Sequence, residues 1–381
     1  MIKKNNTSLN IAMLGHKRIP SREGGIETVV EELSTRMVKL NNHVTCYNRS
    51  GHHVSGKEYD NEVLQEYKGV KLRSVATLDK KGLAAITSSI SGAFSAALGK
   101  HDVVHFHAEG PSAMCWLPKL FGKKIIVTIH GLDHQRAKWG KIASTYIMLG
   151  EKSAVKYADE IIVLSENVQQ YFMNSYNKKT IFIPNGVVRP ETKDICIINR
   201  EYGLERDCYI LFLGRLVPEK GLRYLIEAFK NVNTYKKLVI AGGSSDTNGF
   251  LKELKKIAGE DNRIIFTGFV SGRILEELYS NAYVYVLPSD LEGMSLTLLE
   301  AMSYGNCCIV SDIPECTSIV QDKAIIFEKG NTIDLQRKLQ MLCDNIDIVK
   351  SFKTNVSDFI CSQYSWDDVV KRTLELYREL L

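Results

Sequence analysis

The chain has 381 residues, 44% apolar and 24% charged, with a net charge of +5. That length supports two domains of ordinary size with ample core, and the composition is that of a soluble globular protein. No apolar run reaches the ~18 residues that cross a bilayer, and the polar start MIKKNNTSLN leads straight into a strand-like run, so neither a transmembrane span nor a secretory signal is expected. The nine cysteines are scattered singly apart from Cys307 and Cys308, with no C-x-x-C spacing. Reduced core thiols in a cytoplasmic protein are expected rather than a disulfide framework or a zinc site. Charge is uneven: 25 Lys and Arg face 16 Asp and Glu through Gly186, against 24 and 28 beyond it. A basic first half suits an anionic partner, such as a cytoplasmic membrane surface or a lipid diphosphate. Nucleic acid is not expected, because no basic cluster is interleaved with aromatic residues.

Strand-like and helix-like runs alternate along the chain. In the first half, strands are predicted at 10–15, 44–48, 70–75, 103–107, 124–130, 160–165 and 180–184. Helices are predicted at 26–40, 83–98, 112–120, 142–158 and 166–175. The runs around Ile125, Ile126 and Val127, and around Ile161, Ile162 and Val163, are apolar throughout, as in strands covered on both faces of a parallel sheet. The second half repeats the scheme with strands at 210–213, 237–241, 264–268, 283–287, 308–311 and 325–328. Such alternation implies doubly wound α/β sheets. Pro184, Gly186 and Pro190 break the pattern and mark a hinge near 184–194. In helix 83–98, Leu83, Ile86, Ile90, Phe94 and Leu98 recur near helical period. That stripe is expected to pack into the core, with surface docking beside Lys138, Trp139 and Lys141 as the alternative.

In open α/β sheets, ligands sit beyond the carboxyl ends of the strands, so the residues that follow each strand carry the chemistry. Arg215 and Lys220, in FLGRLVPEKG from Phe212 to Gly221, offer a planar fork and a compact charge suited to a diphosphate. The stretch YVYVLPSDLEGMSLTLLEAM from Tyr283 places Glu292 at a turn and Glu300 in the following helix. Two helical turns separate them, so both carboxylates can lie on one face and accept bonds from hydroxyls. The helix start at 293–297 is expected to turn free N–H groups toward the same space. His130 ends a buried strand before Gly131. His105 and His107 share one face of another strand, with His107 nearer the rim. The loop GHKRIPSREGGIET, from Gly15 to Thr28, is basic through His16, Lys17, Arg18 and Arg22, and Gly24 and Gly25 let its backbone approach a ligand.

These motifs together resemble the retaining glycosyltransferases of family 4, which have the GT-B fold. The resemblance rests on Glu292-x7-Glu300, on FLGRLVPEKG, on Asn185-Gly186-Val187 and on Gly24-Gly25, and it runs from about Leu9 to the C-terminus. It implies two Rossmann-like domains facing each other across a cleft. Residues 1–185 would form the acceptor-side domain and 186–364 the nucleotide-sugar-binding domain, with 365–381 a helix that crosses back to the first. It implies transfer of a hexose from a nucleoside-diphosphate sugar, UDP-sugars preferred, to a glycan or lipid-linked acceptor in surface polysaccharide synthesis.

By the same resemblance, Arg215 and Lys220 stabilise the departing diphosphate, Glu292 lies near the donor sugar and His130 hydrogen-bonds it, making these the catalytic set. Glu300 takes the ribose hydroxyls. Gly293, Met294, Ser295, Leu296 and Thr297 lend backbone N–H groups. Gly214, Gly268 and Val270 flank the phosphates and base, and Gly24, Gly25 and Asn185 complete the donor site. Family members usually carry Phe-Gly where this chain has Met294 and Ser295. Lys17, Arg18, Arg22, Glu27 and His107 are expected on the acceptor side. No metal and no cofactor is expected, because two cations and a helix end already supply positive charge. A nucleotide-sugar epimerase of the same fold, or a non-catalytic sugar-binding protein, remains as the alternative.

Overall fold

The computed structural model describes residues 8–21, 24–51, 64–78, 80, 82–135, 140–243 and 248–381. They form two compact units: Met1–Asn185 with Trp366–Leu381, and Gly186–Ser365. Each is built on its own sheet with helices on both sides, and among the described residues no helix is long and apolar enough to cross a membrane.

The first unit contains β1 (Asn10–Leu14), β2 (His43–Arg49), β3 (Glu66–Tyr67), β4 (Val70–Val75), β5 (Val103–His107), β6 (Lys124–Ile129), β7 (Glu160–Val163) and β8 (Ile181–Phe182). They lie in the order β3-β4-β2-β1-β5-β6-β7-β8. Every pairing is parallel except β3 with β4, a short antiparallel hairpin whose turn puts Lys68 and Gly69 at positive φ. Ile125, Ile126, Val127, Ile161 and Val163 are fully buried, as their uninterrupted apolar runs require. The order reverses between β1 and β5. There the chain leaves β1 through Gly15 at φ +102, where a Cβ would come within 2.1 Å of the His107 carbonyl oxygen. Only glycine lets the two strand ends approach so closely.

The second unit contains β9 (Tyr209–Leu213), β10 (Lys237–Ala241), β11 (Ile264–Gly268), β12 (Val284–Leu287), β13 (Cys307–Ser311) and β14 (Ile325–Phe327), all parallel, in the order β11-β10-β9-β12-β13-β14. Its order reverses between β9 and β12. Phe212, Leu225, Phe229, Leu238, Ile240, Val286 and Ile309 centre its core.

Some expectations are corrected. Predicted helix 112–120 is two short helices, Glu109–Ser112 and Trp116–Leu120. Ser365 belongs with the second unit, where it bridges Val187. The terminal helix Trp366–Glu379 packs on helix Gly25–Lys39, with Arg36 Nη1 3.1 Å from Asp367 Oδ1. The apolar stripe of helix Leu83–Leu98 is not core: Leu83, Ile90, Phe94 and Leu98 are exposed, and Ser88, Ser89, Gly92, Ala93, Ala96 and Ala97 face inward. A Cβ on Gly92 would lie 3.0 Å from a Leu14 methyl, so this helix sits too close to the sheet for large residues on its inner side. Lys138 and Trp139, named for surface docking, lie outside the described residues, as does the side chain of Lys141.

Candidate active site

In the second unit the site grows from the two strands that flank the order reversal. β9 ends at Leu213, and the chain passes Gly214 and the half-buried Arg215 into a short 3-10 turn, Pro218–Lys220. Gly214 N–H donates to the Ala241 carbonyl, Leu216 N–H to Gly243, and Gly242 N–H to Gly268. These bonds stitch the three rim loops together. Gly242 sits at φ +144 with room for no Cβ, since one would lie 1.8 Å from the Gly214 carbonyl oxygen. The exposed Gly268 and the buried Val270 follow β11 on the same rim.

Across the reversal, β12 ends at Leu287 and turns at Pro288 and Ser289. Asp290 N–H donates to the Glu219 carbonyl at 2.8 Å, and the Tyr224 hydroxyl donates to the Pro288 carbonyl, locking the two loops together. Lys220 Nζ makes a short ion pair with Glu292 Oε1, which also accepts from the Ser289 hydroxyl at 2.6 Å. Both partners are nearly buried, with 12% and 9% of their side chains exposed. The cation and carboxylate assigned to separate roles are therefore joined.

The helix that follows is Leu296–Ser303, later than the expected start at 293. Ser295 is its N-cap, its hydroxyl accepting from Leu298 N–H at 3.4 Å. Gly293 and Met294 are buried turn residues ahead of it. The N–H groups of Leu296 and Thr297 have no backbone acceptor among the described residues, so the helix still presents donors there. The Tyr279 hydroxyl donates to Glu300 Oε2 at 3.1 Å, and the Tyr285 hydroxyl to Thr297 Oγ1 at 2.9 Å. Burial first, and the Glu300 charge after it, hold Tyr279 well above the ordinary tyrosine range, so it stays a donor. Glu300 is thus oriented from behind and remains half-buried.

The first unit arranges the remaining residues around its own reversal. His107 does not line the rim: it is fully buried, stacked on His105 with centroids 4.2 Å apart, and its Nδ1 lies 3.0 Å from His130 Nε2. Burial first, then the neighbouring histidines, hold His107 well below the usual histidine range. Its partner His105 bonds the hydroxyls of Tyr377 at 2.5 Å and Thr128 at 2.7 Å. A column of neutral side chains therefore supports His130 from beneath. His16 is likewise buried, bonded to Asn48 and lowered to about 4 chiefly by burial, so it adds no charge to its loop.

Gly24 is the N-cap of helix Gly25–Lys39, with Gly25 its first residue. Glu27, expected to reach acceptor, is 4% exposed and accepts the Lys17 N–H at 2.8 Å. Burial acts to raise its pKa, but Lys17 and the backbone donors outweigh that and hold it below the ordinary value. Arg18 donates to the Gly51 carbonyl at 2.7 Å, Asn185 is buried at the end of the unit, and Arg22 lies outside the described residues. Glu109, His134 and Glu151 belong to none of the motifs read from the sequence. They converge beside this rim although 25 and 17 residues separate them along the chain, a spacing that carries no motif.

Paired loops, a cation–carboxylate pair, a capped helix start and an oriented second glutamate thus meet at the strand-order reversal of the second unit, where open α/β sheets bind their ligands. Residues 23–189 match the family described as Glycosyltransferase Family 4, and residues 197–359 match Glycosyl transferases group 1. The chain belongs to these glycosyltransferases, and its fold is GT-B. An uncharacterized glycosyltransferase of Methanocaldococcus jannaschii is 26% identical over 373 residues, covering 94% of this chain and 95% of the relative. Among solved structures, sucrose-phosphate synthase from Thermosynechococcus elongatus superposes with a TM-score of 0.82 at 20% identity, over 98% of this chain and 99% of that one. Anabaena HepE in complex with UDP-glucose does so at 0.80 and 15% identity, over 97% and 100%.

Proposed function

We propose that this glycosyltransferase is retaining and metal-independent, moving a hexose from a nucleoside-diphosphate sugar to a hydroxyl of a glycan or lipid-linked acceptor. The observation that carries the reading is the Lys220–Glu292 pair at the β9–β12 reversal, with Arg215 on the same loop as Lys220 and the helix start Ser295–Thr297 beyond Glu292. As the bond from the sugar C1 to the phosphate oxygen breaks, charge grows on the diphosphate. Arg215, Lys220 and the N–H groups of Leu296 and Thr297 stabilise it, a preorganised arrangement of the kind that contributes most to catalysis. The acceptor oxygen bonds C1 on the face the diphosphate leaves, and its proton passes to a departing phosphate oxygen. No protein nucleophile is needed, and the configuration at C1 is retained. Glu300 orients the ribose.

UDP-sugars are the preferred donors, a choice that the UDP-glucose bound to HepE supports. The setting is surface polysaccharide synthesis, capsule or O-antigen, at the cytoplasmic face. Supporting that setting, helix Leu83–Leu98 presents exposed Leu83, Ile90, Phe94 and Leu98, carries no acidic residue, and is flanked by exposed Lys80 and Lys100. Such a face suits an anionic membrane surface.

The test incubates the protein with UDP-hexoses and a lipid-linked glycan acceptor in EDTA, and follows nucleotide release and the anomeric configuration of the product by NMR. Acceptor-dependent release with an α-product is expected. Sugar conversion without acceptor would replace this reading with the epimerase.

A further inference from the structure

Glu109, His134 and Glu151 bring three ligand atoms within 4.8 Å of one another in the first unit. His134 Nδ1 lies 3.4 Å from Glu151 Oε2 and 3.7 Å from Glu109 Oε1. All three atoms are buried and none has a hydrogen-bond partner among the described residues. Both separations lie within ion-pair range but exceed ordinary hydrogen-bond length, so a protonated His134 meets the two carboxylates only as a long pair. Buried polar groups without partners are uncommon and call for a cause.

The far side of each carboxylate is, by contrast, fully engaged. Glu109 Oε2 accepts the Asp133 N–H at 2.8 Å. Glu151 Oε1 accepts the hydroxyls of Tyr171, at 2.8 Å, and Tyr176. Each carboxylate thus has one oxygen anchored and the other aimed at a common point. That is how outer partners orient the ligands of a metal ion. The backbone enforces the meeting: a Cβ on Gly150 would fall 1.9 Å from the Glu109 carbonyl oxygen, so this glycine seats the helix Lys141–Tyr157 directly on Glu109 and brings Glu151 beside it.

We propose that Glu109, His134 and Glu151 bind one divalent transition-metal ion of the zinc class, with water in the remaining position. Bonds of ~2.0–2.1 Å in a tetrahedron place ligand atoms ~3.4 Å apart, close to the two separations from His134. Two carboxylates neutralise the dication, and the half-buried His134 gives it a way in. The ion ties the segment that follows β6, which begins at His130, to the short helix Glu109–Ser112 after β5 and to helix Lys141–Tyr157. Its role is to stiffen the acceptor-side rim, separate from the transfer chemistry of the second unit.

The full chain, stripped with EDTA and dialysed, is titrated with Zn2+ and with Co2+. One metal per chain by mass spectrometry is expected, with the visible bands of four-coordinate Co2+, no thiolate charge-transfer band, and a higher melting temperature. Glu151→Gln and His134→Ala lower the affinity ~100-fold or more and remove the thermal gain. Should Glu151→Gln fail to fold by circular dichroism, His134→Ala carries the same test. A wild-type chain that takes up no metal, a thiolate-type spectrum, or uptake unchanged in His134→Ala overturns the proposal.

Discussion

Truncating Lys220 to Ala removes the short ion pair from the nearly buried Glu292 carboxylate. Breaking a buried pair costs about 3–5 kcal/mol because the surviving charge stays desolvated. Here about a tenth of each side chain still meets water, and the Ser289 hydroxyl keeps its bond to Glu292, so about 2–4 kcal/mol is the better figure. In a unit the size of Gly186–Ser365, each kcal/mol lowers the melting temperature by roughly 2–4 °C, which predicts a drop of roughly 4–16 °C. Glu292→Gln strands the cation instead and costs a similar amount. Combining Lys220→Ala with Glu292→Gln removes both charges and recovers ~1–3 kcal/mol of the summed loss. Scanning calorimetry of the four proteins at one concentration gives the cycle. Single variants that melt within ~2 °C of wild type, or strict additivity, would show that the pair is not a buried element of the site.

Other outcomes follow from the same geometry. Gly242→Ala forces a Cβ into the Gly214 carbonyl at positive φ; it should cost ~2 kcal/mol or more and weaken nucleotide binding, read by calorimetric titration. His105 is held at about 3, chiefly by burial, while the unfolded chain protonates near 6.5. The unfolded state therefore binds the extra proton, and stability that is intact above pH 6.5 is lost as pH falls toward 4, at up to ~1.4 kcal/mol per pH unit. His105→Gln should flatten that slope in urea titrations, and parallel slopes would contradict it. Phe94→Ser with Leu98→Ser should abolish sedimentation with anionic vesicles while leaving turnover of a water-soluble acceptor unchanged. Equal sedimentation would remove the membrane role of that face.

Much of the fold was legible because strands covered on both faces must be apolar throughout, as at Ile161 to Val163 and Val284 to Leu287. The hairpin strand Glu66–Tyr67 was not, since two residues held by a tight turn leave no period to read. Helix Leu83–Leu98 misled because periodicity marks an apolar stripe but not which side it faces; the distance to Leu14 decided for the small residues. The cap Ser295 could have been found from its residue type, a serine ahead of an apolar helical run. Arg215, Lys220, Glu292 and Glu300 were visible through their motifs. The pairing of Lys220 with Glu292, the burial of His107 and the meeting of Glu109, His134 and Glu151 depend on contacts between distant segments that no local pattern encodes.

The most direct test of the central claim is the thermal shift of wild type and Arg215→Ala with UDP, GDP, TDP and UDP-sugars, all in EDTA. A ligand that binds only the native state raises the melting temperature by mass action, so the shift above each protein's own EDTA baseline is the quantity to compare. A selective shift with one nucleotide, UDP first, is expected to survive EDTA and to be lost in Arg215→Ala. No shift with any nucleotide at millimolar concentration, or an equal shift in Arg215→Ala, would contradict it.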